Sequence, residues 1–89
     1  MGKTTNFTKQ QLVKIQSFLT DVLETNEDTA YDPDQEYIVN DIIELTREQS
    51  KTSIAEDFSI PYVHPMITVQ KWSSELKLMV EDLLNTDYL

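Results

Sequence analysis

Apolar positions recur at helical spacing through most of this chain. Leu12, Ile15, Leu19, Val22 and Leu23 form a first stripe, widened by Val13 and Phe18, which is the period of an amphipathic helix. Thr8 stands just before it with Gln11 three residues on, the reciprocal arrangement of a capping box, and Phe7 and Leu12 occupy the staple positions. The pattern predicts a helix over about 9–25. Residues 25–29 are too polar to extend its apolar face.

The pattern restarts at Asp32-Pro33, with Asp32 as cap and Pro33 at the first helical position, where a missing N–H costs nothing. Asp34 and Glu36 fall in the first turn, where the macrodipole favours negative charge. Ile38, Ile42 and Leu45 define the buried side, with Val39 and Ile43 beside them. So many β-branched residues lower the intrinsic helix propensity, and burial has to decide. Arg47 and Lys51 close a second helix, expected over about 33–51.

Ser53-Ile54-Ala55-Glu56 repeats the capping-box pattern and predicts a short turn at about 53–58. Pro61 and Pro65 forbid a long helix across the next residues and push Ile60 and His64 toward extended geometry. Val69, Trp72, Leu76, Met79, Val80 and Leu83 then carry a final stripe, expected as one helix over about 66–85 with Trp72 mostly buried. The expected fold is all-α: a single-domain, small antiparallel bundle of three long helices plus one short helical turn, with residues 1–7 a flexible N-terminus.

Charge changes the picture more than composition does. The net charge is −9, and between Lys14 and Arg47 there is no basic residue but nine carboxylates: Asp21, Glu24, Glu27, Asp28, Asp32, Asp34, Glu36, Asp41 and Glu44. A potential of that sign repels nucleic acid and anionic membrane and draws basic protein surfaces in. Cysteine is absent, so packing alone must stabilise the fold. The polar N-terminus has no apolar run of signal-peptide or membrane-spanning length, and it lacks the Ser/Thr of a myristoylation signal. The expectation is a soluble, cytoplasmic protein.

Catalytic and cofactor chemistries find little to work with. There is one His, and the only Gly is Gly2, which leaves no glycine-rich phosphate cradle. His64, with Glu56 and Asp57 as the nearest partners, makes a poor zinc site. Asp32-Pro33-Asp34-Gln35-Glu36 imitates the start of a calcium loop, but Tyr37 and Ile43 stand where the turn glycine and the bidentate glutamate belong. Residues 52–72 look like a helix-turn-helix in the placing of Ile54, Ala55 and Ile60. The recognition helix would, however, contain Pro61 and Pro65 and offer only Lys71 to phosphates. No enzymatic role, cofactor or metal is expected.

The segment Phe58-Ser59-Ile60-Pro61-Tyr62-Val63 places aromatic and branched side chains beside two prolines. These could close the end of the bundle, or they could anchor a partner, since tyrosine is enriched at binding hot spots. Phe7-Thr8 opening the first helix, the acidic second helix, and Tyr62 with Pro65 give an order of parts similar to the immunity proteins that neutralise colicin-type nucleases. The paired tyrosines followed directly by proline of that family are absent, as is its glycine-rich C-terminal tail. Small acidic phage-borne inhibitors, anti-CRISPR proteins among them, match equally well at this level.

The reading that follows is an acidic protein-binding inhibitor that covers a basic surface of a nuclease or other nucleic-acid-binding protein, by nucleic-acid mimicry or by direct pairing. Glu24, Glu27, Asp28, Asp32, Asp34 and Glu36 would supply charge, and Tyr31, Tyr37 and Tyr62 apolar anchoring. Direct contact with nucleic acid or membrane is not expected. The alternatives are a bundle that self-associates as a homodimer through the last helix, with Trp72 and Met79 on its stripe, and a DNA-binding regulator through residues 52–72.

Overall fold

The capping box closes as the sequence requires. The Thr8 hydroxyl accepts from the Gln11 N–H at 3.1 Å, and the Thr8 N–H donates to Gln11 Oε1 at 2.8 Å. In this computed structural model, which describes residues 5–25 and 33–87, α1 then runs Lys9–Thr25. A 3-10 turn at Pro33–Gln35 leads into α2 (Glu36–Glu48). Two short helices, α3 (Thr52–Phe58) and α4 (Pro65–Lys71), precede α5 (Ser73–Asp87). Among the described residues every regular element is helical.

The first helix keeps its expected bounds, whereas the later ones differ from expectation. The second ends at Glu48, three residues early, in a Schellman arrangement: Lys51 N–H donates to Thr46 O at 2.8 Å and Ser50 N–H to Arg47 O at 3.2 Å. That motif needs a left-handed residue, and Ser50 takes the role at φ 58°. With no glycine beyond position 2, nothing in the sequence marks the stop. Likewise the Ser53 capping box does not form. Lys51 is the N-cap of α3 and makes no side-chain cap, because the Schellman turn delivers the chain already helical at Thr52. The Asp32 cap lies outside the described residues.

The single helix expected over 66–85 is two, interrupted at Trp72. Hydrogen bonds still bridge the break, from Trp72 N–H to Thr68 O (3.0 Å) and from Leu76 N–H to Trp72 O (2.8 Å). The Ser73 hydroxyl competes for backbone, however, donating to Gln70 O at 3.1 Å. Trp72 is partly buried and packs on the edge of the core.

One core joins all five α-helices. Leu12, Ile15 and Leu19 of α1, Ile42 and Leu45 of α2, Val69 of α4, and Leu76, Val80 and Leu83 of α5 are all essentially inaccessible. Ile54 secures α3 and Met66 the start of α4. The most extensive packing is between α1 and α5. Thr5 and Asn6 meet Glu48 while Lys14 lies over Tyr37, so α1 and α2 run in opposite senses. Val13, expected to widen the α1 stripe, instead faces outward at 44% exposure.

Ser50→Gly removes the Cβ that disfavours the left-handed region. It is expected to raise stability by about 1 kcal/mol, read as a higher denaturant midpoint at unchanged slope. Ser50→Val should lower it.

Candidate functional site

The six residues between α3 and α4 form a corner fixed at both ends. On the α3 side Ser59 N–H donates to Glu56 O at 3.0 Å, and its hydroxyl to Ala55 O at 3.1 Å. On the α4 side Pro65 sits at the first helical turn, and His64 is the N-cap: its Nδ1 accepts from Met66 N–H at 3.1 Å. His64 is therefore a capping residue. Among the described residues no group of three or more His, Asp or Glu side chains could hold a metal ion.

Tyr62 stands at the apex of this corner. It is 104% exposed and takes a left-handed backbone at φ 70°, which is a genuine outlier for a bulky residue. The bundle-closing reading fails here, since the ring covers nothing. Ile60 and Ile67 flank it at 47% and 58% exposure, so three large apolar side chains meet solvent within eight residues of chain.

A residue of little prominence in the sequence holds the corner in place. Asp57 Oδ2, near the end of α3, accepts from Trp72 Nε1 at 2.6 Å and from Lys71 Nζ at 2.9 Å. The Lys71 ammonium also lies 5.4 Å from the centre of the Trp72 ring, within cation–π range. The hydrogen bond from Lys71, then that from Trp72, holds the Asp57 carboxyl below its usual pKa. The same contacts tie up the one cation that a helix-turn-helix would have offered to DNA. The connector itself is six residues long, against the three or four of that motif.

The acidic residues flank the α1–α2 connector in the sequence. Asp21 and Glu24 are exposed near the end of α1, Asp34 in the 3-10 turn and Glu36 in the first turn of α2. Glu27, Asp28, Tyr31 and Asp32 belong to the connector outside the described residues. Further along α2, Glu44 is exposed and Asp41 half-buried, and burial raises the Asp41 carboxyl above its usual pKa. The unrelieved acidity of the sequence is partly relieved in space: Lys14 places its ammonium 5.6 Å from the Tyr37 ring centre. Tyr37, half exposed, is thereby already engaged on one face.

Glu48, unremarked in the sequence, fastens the N-terminal segment. It accepts from the Thr5 hydroxyl, from Asn6 N–H at 2.8 Å and from Gln49 Nε2 at 2.9 Å. Burial raises its pKa, but these three hydrogen bonds outweigh burial and the net shift is downward. Both it and Asp57 were invisible to pattern reading because their partners lie on other elements.

No family model, curated protein or solved structure matches the chain. Among the described residues no helix is long and apolar enough to cross a membrane.

Because the folded pKa of Asp57 is depressed, the stability it contributes is complete above the ordinary aspartate value of 3.8. It is lost as pH falls through the lower folded value. Asp57→Ala should therefore lower the melting temperature at neutral pH and red-shift Trp72 emission. The melting difference from the parent protein should narrow below pH 3.8. A constant difference across that range would mean that the carboxylate charge is not what holds the corner.

Proposed function

We propose that this protein acts by binding rather than by catalysis, covering a basic site on another protein. The Tyr62 corner anchors the contact, and the exposed carboxylates of the α1–α2 corner supply complementary charge. The observation that carries this reading is Tyr62 itself: a large aromatic side chain, fully exposed, on a strained backbone. Strain of this kind costs on the order of 1–3 kcal/mol and persists where surrounding structure over-determines it, commonly at functional sites. Both flanks of Tyr62 are fixed by caps and by the Asp57 clasp. Little conformational entropy is then lost when a partner closes over the ring.

The surplus of nine negative charges selects the partner's sign. A nuclease cleft, or the nucleic-acid groove of another protein, offers the Lys/Arg surface that Glu24, Asp34 and Glu36 would meet, with Glu27, Asp28 and Asp32 beside them in sequence. Charge of this kind speeds encounter and excludes wrong partners more than it adds affinity. An inhibitor of the immunity-protein or phage-borne type works in this way. Against self-association through the last helix stands the burial of Leu76, Met79, Val80 and Leu83 in the core of the single chain.

Tyr62→Gly tests the anchor without harming the fold. Glycine relieves the left-handed strain, so the melting temperature should hold or rise. Affinity for the partner should fall at least tenfold, about 1.4 kcal/mol. Reversal of Glu27, Asp28 and Asp34 to Lys should slow association and flatten its salt dependence while leaving the helical circular dichroism intact. A Tyr62→Gly protein that binds with unchanged affinity would remove the corner from the interface.

A further inference from the structure

We propose that the outward face of α1 is a self-association surface, on which a second copy of this chain lays its own α1 in the opposite direction about a two-fold axis near Ser17. Helix α1 buries Leu12, Ile15, Phe18, Leu19 and Val22 and presents Lys9, Val13, Lys14, Ser17, Asp21 and Glu24 to solvent. Along that outer face the charge changes sign once: two lysines in the first half, two carboxylates in the second. Lys9 and Glu24 are about 22 Å apart at 1.5 Å per residue. Lys14 and Asp21 are two turns apart, and the midpoints of both pairs fall beside Ser17.

A strip with this sequence of charges is complementary to itself when reversed. In an antiparallel pair Lys9 of one copy meets Glu24 of the other, Lys14 meets Asp21, and symmetry repeats both contacts. Such an isologous contact is the commonest way for a soluble protein to pair. The small side chain of Ser17 lies at the crossing point, where close approach is needed. Val13, exposed at 44% in a shallow recess with Lys9, Gln10 and Lys14, gives the contact an apolar component on either side of the axis.

A second observation points the same way. The charges of α1 oppose its own macrodipole: its first turn holds no acid and its last turn no base. By contrast α2 and α4 carry Arg47 and Lys71 in their last turns and α2 adds Glu36 in its first, whereas α5 has only the early acid Glu75 and α3 has neither an early acid nor a late base. The α1 arrangement costs an isolated helix a little stability. An antiparallel second α1 offsets it, because each helix end then faces the opposite end and the opposite charges of its neighbour. This inference does not use Tyr62; it shares Glu24 with the partner proposed above, and sedimentation of the chain alone reads it without that partner.

The test is sedimentation of the whole chain and of two charge-swapped variants. The parent protein should reach a dimer with rising concentration, and the dimer should weaken as salt is added. Lys9→Glu with Lys14→Glu should be monomeric, with α1 intact, because acid in the first turn suits the dipole. Asp21→Lys with Glu24→Lys should be monomeric as well. The latter result discriminates, since that variant lowers the net charge from −9 to −5, and relief of general repulsion alone would favour association. An equimolar mixture of the two variants should restore a dimer containing one of each. A parent protein that stays monomeric at its highest soluble concentration would overturn the proposal. So would variants that dimerise as the parent does, or a mixture that remains monomeric.

Discussion

The Asp57 carboxylate fixes the geometry on which the rest of the structure's outer surface depends. One oxygen, Oδ2, receives both the Trp72 indole N–H and the Lys71 ammonium, so a single acceptor joins the end of α3 to the junction of α4 and α5. The junction is where the last apolar stripe breaks into two helices. Without that acceptor the indole N–H would lose its partner in a half-buried site, which is costly. Lys71 would be free to move off the Trp72 ring. The clasp therefore couples a local hydrogen bond to the placing of an entire corner.

Net charge acts at a different level. Acid excess is spread over the surface and does not itself build the fold; mutual repulsion works mildly against it. Packing of α1 against α5, with α2 on the other side, overcomes that repulsion. The fold also answers it locally. Lys14 reaches across to Tyr37, and Glu48 gathers three donors at the N-terminal segment. What remains unrelieved in the sequence is the run of carboxylates that ends α1 and opens α2, a stretch without a basic residue.

Local chemistry made much of this legible. The Thr8–Gln11 capping box and the three apolar stripes specify α1, α2 and most of α5, because capping and periodicity are properties of neighbouring residues. Helix ends were less legible. The stop of α2 uses Ser50 where glycine is the usual signal, and the Ser53 box lost to a turn set by Lys51 and Thr46. At Trp72 the stripe continues in register while the helix does not, since the competing bonds come from Ser73 and from Asp57, fifteen residues away. Of the candidate site, Tyr62 was readable as a choice between plug and anchor. Exposure removes the plug reading, and exposure belongs to the tertiary fold.

The two non-glycine residues with positive φ among the described residues make an instructive pair. Ser50 and Tyr62 each carry the steric cost of a positive φ with a Cβ present. At Ser50 the cost is offset within the fold, because the conformation lets Ser50 and Lys51 donate to two carbonyls at the end of α2. At Tyr62 the backbone turn serves the corner, but glycine or asparagine would serve it with less strain, and the ring adds no burial in return. Folding thus accounts for a serine at position 50 and gives no reason for a tyrosine at position 62. That asymmetry, rather than exposure alone, is what sets Tyr62 apart from Ser50.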